Sequence, residues 1–311
     1  MAAAHRPFVA IAVLALVVLS VARPRATPKF SGWSAPGNLG AIINSPFLDS
    51  GPALSKHGLS LYFTSTRPDG FGAQDIWVAQ RPTEDSPWEA PRNLGSLINT
   101  DAIESVPALS RVEHWLFVNS DRPGGLGSGD IWASWRPDVH DDFGWYPPIN
   151  LGEGVNSAFN EVGAGYFEND DTGIPMLFFA STRPGGQGLT DIYVSPQVAD
   201  GSFGPAHLIA GVSSPLLDVR PVPRFDGLEL FFGSSRVGTF GGLDLWVATR
   251  NTTAEPWSAP VNLGGVVNTA FGDQQPYVAS DRQTLFFASD RPGGFGGLDL
   301  YVTVRLKKDD E

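Results

Sequence analysis

The sequence predicts an all-β chain: a five-bladed β-propeller of four-stranded antiparallel blades, closed by the N-terminal strand completing the last blade. Three observations predict it. One pattern recurs five times between residues 30 and 305, at steps of 54 to 58 residues. Each copy holds four short apolar segments divided by turn residues, and a four-stranded unit of about 40–60 residues repeated several times is the propeller signature. The copies are also out of phase with the chain ends, which open on a fourth strand and stop on a third.

Composition agrees with many short strands. The chain has 36 Gly and 26 Pro with no collagen-like period, so these residues punctuate turns. Only two Met are present, and Lys and Glu are scarce, which argues against long helices. A single four-stranded sheet cannot bury both faces, but neighbours arranged radially can.

Residues 1–22 have the layout of a secretory signal peptide. Met1–Pro7 is weakly basic, Phe8–Ala22 is an unbroken apolar run, and Ser20-Val21-Ala22 supplies small residues before a cut at Ala22. Fifteen apolar residues fall short of the ~20 that a spanning helix needs. Cleavage is the expectation and an uncleaved anchor the alternative; both put the body in the periplasm or outside the cell. Residues 23–29 form a linker, 30–305 the propeller and 306–311 a charged tail.

Within the propeller each unit opens on an aromatic residue: Trp33, Trp88, Trp145, Phe203 and Trp257. Asn-Leu-Gly follows in four units, from Asn38, Asn93, Asn150 and Asn262, and His207-Leu208-Ile209 replaces it in the other. A carboxylate then recurs as Asp49, Glu104, Glu161, Asp218 and Asp273, each five residues after Asn44, Asn99, Asn156, Ser213 or Asn268. After an apolar run comes an Arg (Arg67, Arg122, Arg183, Arg236, Arg291). Eight residues later, in all five units, an Asp opens the next strand: Asp75, Asp130, Asp191, Asp244 and Asp299.

These positions imply strands at Asp49–Ser55, Leu59–Ser65 and Asp75–Gln80 in the first unit, the first two joined by a hairpin-length loop carrying Gly58. Pro52, Pro107, Pro221 and Pro276 sit mid-strand, which suits an innermost edge where a missing N–H costs no ladder bond. The count of strands balances only if Gly32–Leu39 pairs with Asp299–Val304. That pairing removes two exposed edges.

The units Ser289-Asp290-Arg291-Pro292-Gly293-Gly294 with Asp299-Leu300-Tyr301, and Trp257-Ser258-Ala259-Pro260-Val261-Asn262-Leu263-Gly264, resemble the TolB-type, WD-like β-propeller repeats of bacterial envelope and secreted proteins. The resemblance covers about nine tenths of the chain. It implies a propeller fold and, as a function, a binding module, because the repeat serves proteins of varied role. The unit with His207 and Arg236-Val237-Gly238, and a hairpin four residues longer around Glu168-Asn169-Asp170-Asp171, depart from the pattern.

In an antiparallel blade the recurring carboxylate, Arg and loop Asp fall on one rim. Asp49 lies opposite Ser65 in this register, and Arg67 is on a diagonal of roughly 7–8 Å. Five unpaired carboxylates about 10 Å apart repel by roughly 0.4 kcal/mol per neighbouring pair even in water. The Arg residues therefore pair structurally with them: Asp49 with Arg67, Glu104 with Arg122, Glu161 with Arg183, Asp218 with Arg236, and Asp273 with Arg291. A cation on the axis is the alternative.

Binding is expected where the five-fold pattern breaks. Arg220 stands where other units have Gly51, Val106, Gly163 and Gln275, and Gln274-Gln275 is peculiar to the last unit; with Glu104 and Glu161 these are the channel-mouth candidates. Glu168–Thr172 offers oxygen ligands to Ca²⁺, against the simpler reading of a solvated hairpin tip.

Several chemistries find no residues. With no Cys there is no disulfide, thiolate metal site or Cys nucleophile. Gly70-Phe71-Gly72 precedes a strand, unlike a dinucleotide loop, and no two His have metal-site spacing. The net charge is −12 and residues 1–22 carry +1, so the remainder stands at −13, which excludes a phosphate-binding footprint.

The expected function is thus a non-enzymatic, monomeric binding propeller for a protein or glycan of the cell envelope, with no catalytic residue, metal or cofactor. Membrane association enters only if the N-terminal segment stays uncleaved. The alternative is an extracellular five-bladed glycosidase using two channel-mouth carboxylates from Glu104, Glu161 and Asp218.

Overall fold

The computed structural model describes residues 30–308; the expected signal peptide and linker and the end of the tail lie outside them. Every blade is built alike. The first has an innermost strand Asp49–Leu54, then Ser60–Ser65, Asp75–Gln80 and an outermost Arg92–Asn93. The four are hydrogen-bonded in that order. Blades two to five begin at Glu104, Glu161, Asp218 and Asp273.

The last blade is closed by the start of the chain. Gly37 pairs with Val302 and Asn38 with Tyr301. Main-chain bonds extend the contact, from Ser34 N–H to Val304 O at 2.8 Å and from Leu39 N–H to Leu300 O at 3.0 Å. The outermost strands are only two residues long, shorter than the sequence suggests. A proline stands directly before four of them, at Pro36, Pro91, Pro148 and Pro260. After each proline the residues that donate to the third strand are the next one and the Leu two further on, so the missing N–H falls on the outer side and leaves the exposed edge short of a donor.

Apolar faces of adjacent blades form five clusters between the blades. One holds Ala53, Tyr62, Ile76 and Val78 of blade one with Leu116, Val118, Trp132 and Trp145 of blade two. The strand pattern is therefore apolar on both faces, and the first blade's Ser60–Ser65 strand is buried throughout.

All five innermost strands carry an irregularity that spacing alone does not show. Register slips between Ser50 and Ala53, and at the same place in the other four blades. The inserted residue takes positive φ each time: Gly51 (61°), Val106 (55°), Gly163 (71°), Arg220 (47°) and Gln275 (55°). The mid-strand prolines directly follow these bulges, where the ladder is already interrupted.

Closure carries a testable cost. Removing residues 30–40 exposes the Asp299–Val304 edge and should lower the melting temperature by roughly 10 °C, at about 2–4 °C per kcal/mol for a domain of this size. An unchanged melting temperature contradicts closure by this strand.

Candidate functional site

The recurring charges form a closed system on the upper rim. Asp49 accepts from the Ser45 N–H at 2.6 Å and hydroxyl at 2.7 Å, and from Arg67 Nη2 at 2.6 Å. Glu161 accepts from Ser157 N–H and Oγ, from Ser181 Oγ, and lies 3.0 Å from Arg183. Glu104 pairs with Arg122, Asp218 with Arg236, and Asp273 with Arg291. The same Arg residues donate to a carbonyl in the loop before the carboxylate, such as Ile43 O for Arg67, and lie over aromatic rings of their own blade.

All five carboxylates are fully buried. That corrects the expectation that Glu104 and Glu161 face a ligand. It also removes Glu104, Glu161 and Asp218 as an acid–base pair, because no substrate oxygen can reach them.

The loop Asp residues knit the turns, as Asp75 does by accepting from Phe71 N–H at 2.7 Å. Neighbouring blades touch closely here: a Cβ on Gly127 would stand 1.7 Å from Phe159 O, so only Gly fits.

Arg220 also departs from its expected role. Its side chain crosses the axis and donates from Nη2 to Pro52 O at 2.8 Å and Pro107 O at 3.1 Å, bonding blade four to blades one and two. It is 2% exposed. A Cβ on Gly163 would stand 2.8 Å from Arg220 Cα, and one on Gly51 2.8 Å from its Nη1. The two glycines thus make room for a plug. Desolvation lowers the guanidinium to about 9. Gln274 and Gln275 are half-buried on the last innermost strand. The hairpin considered for Ca²⁺ is tied down by protein: Asp170 pairs with Arg111, and Asp171 accepts from Thr253 Oγ1 at 2.6 Å.

The lower face holds a repeat element that the upper-rim spacings conceal. Six residues after the Asp that opens the third strand stands an Arg: Arg81, Arg136, Arg250 and Arg305. Each lies over the aromatic that leads into the fourth strand, at 4.3 Å for Arg81 on Trp88, 4.3 Å for Arg136 on Trp145, 4.1 Å for Arg250 on Trp257 and 4.5 Å for Arg305 on Trp33. These stacks wedge between blades. Trp145 meets Tyr62 edge-on, and Trp33 meets Phe231 in the same way.

Blade three has Gln197 and Phe203 at these two positions. Both are smaller, and the junction of blades two and three opens into a cleft of 650 Å³. Val112, Trp115, Phe117 and Ile149 of blade two form one wall, and Tyr166, Pro175 and Phe203 of blade three the other. The Phe117 ring stacks on Tyr166 at 5.7 Å. Glu168 and Asp200 bring two carboxylates to the same cleft, with Gln197, Asn150 and Ser202. Asp200 is held below the usual carboxylate range, first by the Ser202 hydroxyl and then by the Ser202 N–H. Burial, with Glu168 adding to it, pushes the Tyr166 phenol up to about 12. The cleft was findable in sequence only through the six-residue Arg spacing and its failure at Gln197.

No family model matches the chain, and no curated protein matches it either. Solved structures do share the fold. An α-L-arabinofuranosidase from Lactobacillus brevis aligns at 14% identity and TM-score 0.60, over 87% of this chain and 93% of its own. A GH43 endo-arabinanase from Bacillus licheniformis aligns at 14% identity and TM-score 0.60, over 86% and 96%. An endo-arabinase from Bacteroides thetaiotaomicron aligns at 16% identity and TM-score 0.57, over 90% and 100%.

At these identities the likeness establishes the five-bladed fold and transfers no residue. The neighbours are nevertheless sugar-cleaving enzymes, which overturns the expectations of a non-enzymatic binding module and of a chain that is not an enzyme, and favours the glycosidase alternative. Those expectations rested on the paired rim carboxylates, and the cleft carboxylates lie outside the repeat.

The rim's role is open to direct measurement. Glu161→Gln removes a fully buried charge and leaves the largely covered Arg183 without its counter-charge, and should cost about 3 kcal/mol in urea unfolding. A change below about 1 kcal/mol, the range of an exposed pair, contradicts the structural assignment.

Proposed function

We propose that this chain is an extracellular glycosidase whose substrate lies in the cleft between blades two and three. The observation that carries the reading is that Glu168 and Asp200 both line one aromatic-walled cleft. Glycoside hydrolysis needs two carboxylates flanking the scissile bond, one ionised and one giving a proton to the leaving oxygen. Asp200 takes the ionised role, since Ser202 donates to it twice. Glu168 is the second carboxyl of the pair. Trp115, Tyr166 and Phe203 supply flat apolar faces for sugar rings. The fold shared with arabinofuranosidases and arabinanases supports the same class of chemistry.

The accompanying proposals follow from sequence. The repeat residues support kinship with TolB-type propellers, and the N-terminal layout supports a secreted or periplasmic location. A charge of −13 beyond residue 22, from −12 overall and +1 in the leader, supports partners other than nucleic acid. The chain is proposed to act as a monomer.

The test is hydrolysis of a panel of oligosaccharides and aryl glycosides by the secreted protein. Glu168→Gln and Asp200→Asn should each lower kcat by about 10²-fold or more, the usual worth of a positioned acid or base, with melting temperatures unchanged. Turnover undiminished in both variants, or absent across the panel in the wild type, contradicts the reading.

A further inference from the structure

The lower face shows what its interblade niches are made to hold. Four of them contain a cation on an aromatic face, the Arg–Trp stacks at 4.1–4.5 Å. In two of the four the guanidinium also meets a carboxylate: Arg136 faces Asp142 at 2.9 Å, and Arg305 faces Glu229. The fifth niche keeps the aromatic walls and has acids but no cation. Glu168 and Asp200 line it, and none of its lining residues is Lys or Arg. Arg111, near Glu168, is committed to Asp170.

Resting on the reading of this cleft as the sugar site, we propose that its ligand is a glycan bearing free amino groups, with a sugar ammonium standing where the other junctions place a guanidinium. A cation within about 6 Å of an aromatic centroid is attracted by the ring's quadrupole, more strongly where water is excluded. Two carboxylates in the same cleft add Coulomb attraction and repel uronic acids. A neutral sugar gains the stacking alone. The chain's own composition favours the same ligand, because an acidic protein draws cations towards it.

The experiment is calorimetric titration of the wild-type propeller with two tetrasaccharides of one skeleton, one of glucosamine and one of N-acetylglucosamine, which differ in charge. The glucosamine tetramer should bind at least tenfold tighter. The Glu168→Gln, Asp200→Asn double variant should lose that advantage, binding the two tetramers with equal affinity. Equal affinity, or preference for the acetylated tetramer, overturns the inference. So does tight binding of a tri-arginine peptide with none of the glucosamine tetramer, which would assign the niche to a basic protein. Hydrolysis is followed separately in the same samples. Selective binding without cleavage sinks the hydrolase reading and leaves the ammonium preference standing; cleavage without charge preference does the reverse.

Discussion

Burying a carboxylate in every blade is the constraint on which the rest of the disc depends. A lone buried charge is not tolerated, so each of the five is met by an Arg and a backbone N–H, and all but Asp218 by a hydroxyl as well. Meeting it fixes the loop before the innermost strand, the end of the second strand and the turn into the third, all at once. Arg67 shows how: one guanidinium bonds Asp49, the Ile43 carbonyl and the Ser65 hydroxyl while lying over Phe63 and Trp77. Five copies of that arrangement set the upper rim as a rigid frame. Innermost-strand carboxylates so fully bonded internally have little left to offer a ligand.

Much of this was legible in the sequence, because local bonding forces constant spacing. The eight residues from Arg67 to Asp75 are one turn whose ends are both pinned, and insertion there breaks a bond. The phase of the repeat likewise revealed closure, since a strand count that does not balance must be completed from the other end. What spacing could not show is direction. Arg220 stands out in the repeat as plainly as any residue, yet its position at a positive-φ bulge, flanked by Gly51 and Gly163, turns it across the axis into a plug.

The cleft was hidden for a different reason. Trp33, Trp88, Trp145, Phe203 and Trp257 were visible as markers of where units begin, but the Arg partners of the four Trp stand just after the third strand, seven to nine residues earlier for Trp88, Trp145 and Trp257 and at the other end of the chain for Trp33. A stack of Arg on Trp is made within one blade but packs against the next, as Trp145 does on Tyr62, so the pattern of a single blade does not show its purpose. Only when Arg81, Arg136, Arg250 and Arg305 are seen to fill equivalent niches does Gln197 become the exception that matters. The same displacement misdirected the chemistry: the acids that repeat, Glu104, Glu161 and Asp218, are sealed, whereas Glu168 and Asp200 lie in a longer hairpin and a loop outside the pattern.

The central claim is that function sits where the lower-face stack fails. Restoring the stack with the double substitution Gln197→Arg, Phe203→Trp tests it in one measurement, the oligosaccharide affinity of a protein whose melting temperature is checked alongside. With the junction filled as in the other four blades, affinity should fall at least tenfold while the melting temperature holds or rises. Affinity retained in full with the pair in place contradicts the account and puts the binding site elsewhere on the disc.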